Sequence, residues 1–175
     1  MKTLNQLTMA LTLVVTTAAS ALAENPLPSA TDELVEYGQV EGWIVFKNNT
    51  RRHCFISSVD ESGAVQMGVT KDDASINYLG IFTTKHLHIK DGEKSKIAVS
   101  IDGNIYTGTS TGISEHITGG YSGGYILTRN QEFKRDLATK YKMVVFPETR
   151  HAFVVDLKGT YKAMALAREC FLSSG

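Results

Sequence analysis

The chain contains 175 residues, and its 18 lysines and arginines balance its 18 aspartates and glutamates, so the formal net charge is zero. This balance argues against a nucleic-acid-binding protein, because such proteins normally carry a clustered excess of basic residues. The densest basic spot, Lys47 with Arg51, Arg52 and His53, is interpreted as a solvent-exposed loop. We therefore expect no nucleic-acid partner.

Residues 1–23 have the organisation of a secretory signal. Lys2 gives the start a positive charge, the stretch from Leu7 to Leu22 is uncharged, and Ala21-Leu22-Ala23 is the small-x-small pattern that a signal peptidase recognises. The apolar stretch is shorter than the roughly 18–20 residues that a membrane-spanning helix needs. We predict cleavage after Ala23, a periplasmic or extracellular location, and no stable membrane insertion after cleavage.

The rest of the sequence predicts a short lead-in followed by one β-rich domain. Residues 24–38 hold two of the three prolines and several small polar residues, which indicates an extended lead-in, and residues 39–175 form the domain. Apolar runs separated by turn residues recur along it: Trp43–Phe46, Cys54–Ile56, Val65–Val69, Ile76–Phe82, Leu87–Ile89, Ile97–Ile101 and Ile105–Thr107. Asp102-Gly103-Asn104 predicts a hairpin turn. Short strands at close spacing predict a mainly β (α+β) fold, an antiparallel β-sandwich or barrel.

Two helices interrupt the strands. The first is predicted near 130–140, with Phe133 and Leu137 on one face. A strand hairpin, Met143–Phe146 with Ala152–Val155, should follow it. The second helix should begin at Thr160 as N-cap, run to about 171 and pack on the sheet. Its apolar positions, at helical spacing, are Ala163, Leu166, Ala167 and Cys170.

The two cysteines, Cys54 and Cys170, are expected to form a disulfide. An even count in an exported protein favours a bridge, because the compartments that receive such proteins are oxidising. Cys170 lies on the apolar stripe of the last helix, where a bridge to the sheet is sterically sensible. Two buried free thiols are the alternative.

The order of these features resembles a known group of secreted domains. Gly42-Trp43 with Val45-Phe46, then Cys54-Phe55, then the segment Val155–Ala163 leading to Cys170, are similar in layout to the invasion-associated locus B family of bacteria. The resemblance covers about residues 40–172. It implies export, a β fold and a bridge between the first and last parts of the domain. It implies no mechanism for any residue.

One short motif suggests catalysis. Gly120-Tyr121-Ser122-Gly123-Gly124 matches the G-x-S-x-G pattern of a hydrolase nucleophile elbow, and Asp136 and His151 follow in the order of a catalytic triad. The elbow needs a strand, a sharp turn and then a helix, so that the serine oxygen is exposed beside an oxyanion hole. Here Tyr125–Thr128 reads as a strand, so the segment is interpreted as a glycine-permitted loop. A small serine hydrolase using Ser122 remains an alternative.

A second candidate is a metal site at His86 and His88. On a strand these histidines share one face, but a closed zinc site needs four ligands. His116 beside Glu115 could contribute only if folding brought it near. An exposed polar face is the preferred interpretation, so we expect no metal and no cofactor.

Four aromatic residues could line a ligand groove or belong to the core, and the core is preferred: Trp43, Tyr106, Tyr121 and Tyr125. The sequence as a whole predicts an exported, non-enzymatic binding or accessory domain. Its partner would be an unidentified protein or small ligand. The alternatives from other classes are the hydrolase using Ser122 and a metal-binding protein using His86 and His88.

Overall fold

The computed structural model describes residues 27–61, 63–70, 73–85, 87–114, 120–147 and 149–173. These residues form ten strands and two helices. In chain order they are β1 (Leu34–Val40), β2 (Trp43–Asn48), β3 (His53–Val59), β4 (Ala64–Val69), β5 (Asn77–Thr83), β6 (Lys94–Ile101), β7 (Asn104–Ile113), β8 (Ser122–Thr128), α1 (Gln131–Thr139), β9 (Lys142–Val145), β10 (Phe153–Asp156) and α2 (Thr160–Leu172). The predicted signal peptide, residues 1–23, lies outside the described residues, and strand β1 begins inside the predicted lead-in.

The strands of the described residues belong to one open antiparallel sheet. Its order is β1-β2-β3-β4-β5-β8-β7-β6-β9-β10. The predicted fold class is confirmed: the chain is mainly β and antiparallel, it has a short helix near 130–140, and its C-terminal helix packs on the sheet. Within the described residues neither helix is long and apolar enough to cross a membrane.

The sheet curls so that one face encloses the main core. Side chains from strands near both ends belong to the same buried cluster, among them Val45 of β2 and Val155 of β10. A Cβ atom at Gly63, in the β3–β4 turn, would lie 3.6 Å from Phe153 Cε2 of β10. Strands far apart in the sheet order are therefore close in space. We call the face that carries this core the concave face.

The opposite face carries a smaller aromatic cluster. Because successive side chains of a strand point to opposite faces, Cys54 and Ile56 of β3 enter the main core while Phe55 between them does not. Phe55, Tyr78, Phe82 and Tyr125 form the aromatic cluster, and Leu27 packs against them. Both faces of the central strands are buried, which explains their nearly continuous apolar runs.

Both predicted hairpins are confirmed. Asp102 and Gly103, with φ of 45° and 94°, join Ile101 of β6 to its partner Asn104 of β7. Positive φ at both central residues is the tight hairpin geometry that Asp-Gly favours. Strands β9 and β10 also pair, with Val145 opposite Phe153.

The two helices begin at different kinds of N-cap residue. Asn130 Oδ1 caps α1 by accepting hydrogen bonds from the backbone N–H groups of Glu132 and Phe133, at 2.9 and 3.1 Å. The prediction that Thr160 is the N-cap of α2 is wrong, because Gly159 holds that position with a φ of 82°. A glycine adopts this left-handed conformation without strain.

The predicted disulfide between Cys54 and Cys170 is confirmed. It joins β3 to α2 with the two Cα atoms 6.1 Å apart, and both residues are buried in the main core. Trp43 Nε1 also donates a hydrogen bond of 2.9 Å to the carbonyl oxygen of Lys158, in the turn before α2. The last helix is therefore attached to the first strands by a covalent bond and by a buried indole.

The interpretation of the basic spot as a solvent-exposed loop is wrong for Arg51 and His53, which are both buried. Arg51 Nε lies 2.5 Å from Asp32 Oδ2, and Asn48 Nδ2 donates to the same oxygen at 2.6 Å. Burial raises the pKa of Asp32, but the hydrogen bonds from Arg51 and Asn48 outweigh it and hold the pKa below its usual value. The counter-charge comes from the lead-in, 19 residues earlier in the chain, and so was not visible in the local sequence.

Candidate functional site

A cleft of about 420 Å³ opens on the concave face. Its floor is made by β5, β6, β7 and β8, through Ile81, Thr83, Ser95, Ile97, Ser110, Gly112, Ser122 and Gly124. One wall is the β5–β6 connection, through Leu87–Lys90 and Glu93, and a second comes from the β9–β10 connection, through Phe146, Thr149 and His151. Two connections that are distant in sequence thus flank the same stretch of sheet.

Glycine at position 112 allows the first wall to cross the sheet. A Cβ atom at Gly112 would lie 2.5 Å from the carbonyl oxygen of Lys90 and 2.9 Å from Ile89 Cγ2. Two backbone hydrogen bonds fix the crossing: Gly112 N donates to Glu93 O at 2.8 Å, and Gly92 N donates to Gly112 O at 2.9 Å. A larger residue at 112 would push the wall away from the floor.

Two neighbouring strands of the floor carry glycine at paired positions, and a neighbouring group lies close over each glycine. Gly112 of β7 pairs with Gly124 of β8, and Gly124 pairs with Ile81 of β5. A Cβ atom at Gly124 would lie 2.3 Å from Ser110 Oγ. The Ser110 hydroxyl therefore occupies the space that a side chain at Gly124 would take, and it supplies a polar group beside the apolar Ile81.

Both walls contain a residue with unusual backbone geometry. His88 and Phe146 each have a φ of 52°. A positive φ is uncommon outside glycine and is a clear outlier for a bulky residue such as phenylalanine. Such strain persists only where surrounding structure imposes it, and it occurs preferentially at binding and active sites.

The charged groups that line the cleft are mainly cationic. Among the described residues they are Lys90, Lys96 and Glu93, and two histidines, His88 and His151, line the cleft as well. No salt bridge among the described residues engages either lysine. Side chains alternate along β6, so the Lys96 side chain points to the face opposite Ser95 and Ile97, and Lys90 is the lysine that lies on a wall of the cleft.

The residues of the suggested triad are brought together only in part. Ser122 and His151 line the same cleft, but Asp136 lies on α1, where its Oδ2 accepts hydrogen bonds from Tyr106 Oη at 2.7 Å and Asn104 Nδ2 at 2.9 Å. These two hydrogen bonds, that from Tyr106 first, lower the pKa of Asp136 although burial opposes them. Burial, followed by the bond to Asp136, raises the pKa of Tyr106 to about 12. The Asp136 carboxylate thus accepts hydrogen bonds in a buried network that holds α1 against β7.

The backbone at Ser122 also differs from a nucleophile elbow. Ser122 is the first residue of β8 and pairs with Thr83 of β5, and the chain continues from it as a strand. An elbow instead leads from a strand through a sharp turn into a helix, which directs backbone N–H groups at the oxyanion. The expectation that Tyr125 and its neighbours form a strand is confirmed. The interpretation of the glycine-rich segment as a loop is wrong for Ser122–Gly124, because these residues pair with β5 and begin strand β8.

Of the two histidines proposed as metal ligands, His88 lies at the cleft with an exposed side chain, and His86 lies outside the described residues. The expectation of a strand at Leu87–Ile89 is wrong, because these residues belong to the connection between β5 and β6 and His88 has a positive φ. Glu115 and His116 lie outside them as well. Within the described ranges, no group of three or more histidine, cysteine, aspartate or glutamate side chains is close enough to hold a metal ion.

The aromatic residues considered as a groove belong to packed regions. Trp43 is in the main core and Tyr125 in the aromatic cluster. Tyr121 packs beside the aromatic cluster, and Tyr106 lies on Phe133 of α1 with ring centroids 4.9 Å apart. The apolar surface of the cleft is instead mainly aliphatic, so a search of the sequence for groove-lining aromatic residues could not identify it.

Comparison with known proteins adds no identification. No family model, no curated protein and no solved structure matches this chain.

Proposed function

We propose that this chain is an exported, non-enzymatic binding or accessory protein that holds a small ligand in the cleft between the β5–β6 and β9–β10 connections. The observation that carries the proposal is the cleft itself. Its volume of about 420 Å³ falls within the roughly 300–1,000 Å³ typical of small-molecule sites. Like those sites, it combines an apolar surface, here including Ile81, Ile97 and Phe146, with a few polar groups.

Export is part of the same proposal. The sequence of residues 1–23 supports it, and so does the Cys54–Cys170 bridge, since such bonds persist mainly in oxidising compartments. The layout shared with the invasion-associated locus B family also supports an exported accessory role. N-terminal sequencing of protein recovered from the periplasm or medium should give Glu24 as the first residue, and a retained Met1 would contradict export with cleavage.

Binding in the cleft can be tested with a neutral apolar dye, N-phenyl-1-naphthylamine, whose fluorescence rises in an apolar environment. The exposed Ser95 of β6 lines the cleft, so Ser95→Trp should fill it and abolish saturable binding of the dye. The matched control is Thr107→Trp, at an exposed strand position of β7 that does not line the cleft. Absence of binding to the wild type, or equal binding to both variants, would refute the proposed site.

A further inference from the structure

We infer that the ligand of this cleft is a single-chain amphiphilic anion, a medium-length aliphatic carboxylate. This inference rests on the proposed binding function and specifies its substrate class. It follows from three properties of the cleft: its aliphatic surface, the cationic side chains at its walls and its size.

The apolar part of the ligand is defined by side chains from the floor and both walls. Ile81 and Ile97 lie on the floor, Leu87 and Ile89 on the first wall, and Phe146 on the second. Four of these five are aliphatic, so the surface offers dispersion contacts without an array of hydrogen-bonding partners. An alkyl chain satisfies such a surface and leaves no polar group of its own unpaired.

The head group is defined by the charges at the edge of the same cleft. Lys90 is exposed and outside any salt bridge of the described residues, while Glu93 is the one carboxylate among the described lining residues. Arg150 Nε donates a hydrogen bond of 3.1 Å to His151 Nε2, which brings a further cation beside the second wall. Cations and donors favour an anionic head group over a neutral or cationic one.

Polar groups on the floor fit a carboxylate better than a purely apolar ligand. The Ser110 hydroxyl lies over Gly124, and the Ser122 hydroxyl lies on the same stretch of floor. A hydrogen bond donated by a hydroxyl group is stronger when the acceptor is ionised. The Ser122 hydroxyl, which the sequence motif suggested as a nucleophile, then has the role of a ligand contact.

The size of the cleft suits one aliphatic chain of moderate length. A volume of about 420 Å³ lies near the lower end of the roughly 300–1,000 Å³ range of small-molecule sites.

The test is calorimetry on the mature protein with four probes. They are decanoate, the neutral decanol, the cationic decyltrimethylammonium, and acetate as the head group alone. Decanoate should bind at least several-fold more tightly than decanol, and the cation and acetate should bind weakly. Added salt should weaken decanoate binding and leave decanol binding unchanged, because screening acts on exposed charges.

Variants locate the head group. Lys90→Gln should weaken decanoate binding about two- to fivefold, as expected for an exposed charge pair, without affecting decanol. Lys142→Gln, an exposed lysine of β9 outside the cleft lining, is the matched control and should have no effect.

Failure of this inference differs from failure of the proposed site. If decanol binds as tightly as decanoate and Ser95→Trp abolishes both, the cleft is a binding site but its ligand is not an anion. If no probe binds, or if Ser95→Trp leaves decanoate binding unchanged, the anionic ligand in this cleft is refuted. In that case the dye decides separately whether the cleft binds any small molecule.

Discussion

Loss of the Cys54–Cys170 bridge should strongly destabilise the domain. The bridge closes a loop of 116 positions. In the chain-entropy model, opening a loop of that length raises the conformational entropy of the unfolded chain and so lowers the free energy of unfolding by about 4.8 kcal/mol at 25 °C. Measured losses of stability for native bridges are typically about 2–5 kcal/mol. Since a domain of this size is stable by about 5–15 kcal/mol, reduction would remove a large part of its free energy of unfolding. The wild type with reduced thiols is the cleanest perturbation, because both side chains stay in the core.

Urea denaturation followed by fluorescence measures this loss. The chain has one tryptophan, Trp43, which is buried, so its emission reports on the fold. With an m-value of about 1–3 kcal/mol/M, a loss of 2–5 kcal/mol should lower the midpoint by about 1 M or more, and m should rise as the unfolded chain expands. Reductant should not alter the Cys54→Ala/Cys170→Ala variant, which serves as the control. An unchanged midpoint in wild-type protein whose thiols are shown by alkylation to be reduced would refute the entropic reasoning.

Three further predictions concern the buried polar groups and Ser122. Asp32→Ala should lower the free energy of unfolding by about 3–5 kcal/mol in urea titrations, because it leaves the Arg51 guanidinium buried without its counter-charge; a loss below 1 kcal/mol would contradict this. Tyr106→Phe should destabilise by about 1.5–3 kcal/mol at pH 7. The hydrogen bond from Tyr106 lowers the folded-state pKa of Asp136, so this deficit is full above about pH 4, the ordinary pKa of an aspartate. Its charge-dependent part should be lost as the pH falls further, through the lowered folded-state pKa, which titrations across this range check. A fluorophosphonate probe should not label Ser122, and labelling lost in Ser122→Ala would favour the hydrolase.

Local chemistry made much of the fold predictable from the sequence. Asp102-Gly103 specifies a tight turn by its own backbone preferences, so the β6–β7 hairpin could be read directly. Asn130 caps α1 through bonds to residues two and three positions ahead, which is again a local signal. The bridge partner of Cys54 followed from there being one other cysteine.

Features that depend on long-range contacts were not predictable in the same way. The burial of Arg51 requires Asp32 from the lead-in, and the N-cap of α2 is a glycine where Thr160 was expected. The strands form a single sheet because β5 pairs with β8, and no short motif encodes such a long-range pairing.

The cleft could be predicted least of all. Ser122 and His88 were considered for catalysis and metal binding on local patterns, and the fold brings both to one cleft with His151. That cleft exists because Gly112 lets the β5–β6 connection cross the sheet, while the β9–β10 connection reaches it from a distant part of the chain. Neither Gly112 nor Lys90 belongs to any recognisable motif, so the sequence carried no signal that they share a site.

Titration of the ¹⁵N-labelled mature protein with decanoate, followed by amide chemical shifts in NMR, tests the central claim most directly. The glycine amides give separate markers for the cleft floor and for a distant hairpin. Binding in the cleft predicts saturable shifts at Gly112, Gly124 and Ser122, with Gly103 in the β6–β7 turn unchanged. Shifts confined to the aromatic cluster on the opposite face, or no saturable shifts at all, would contradict the claim.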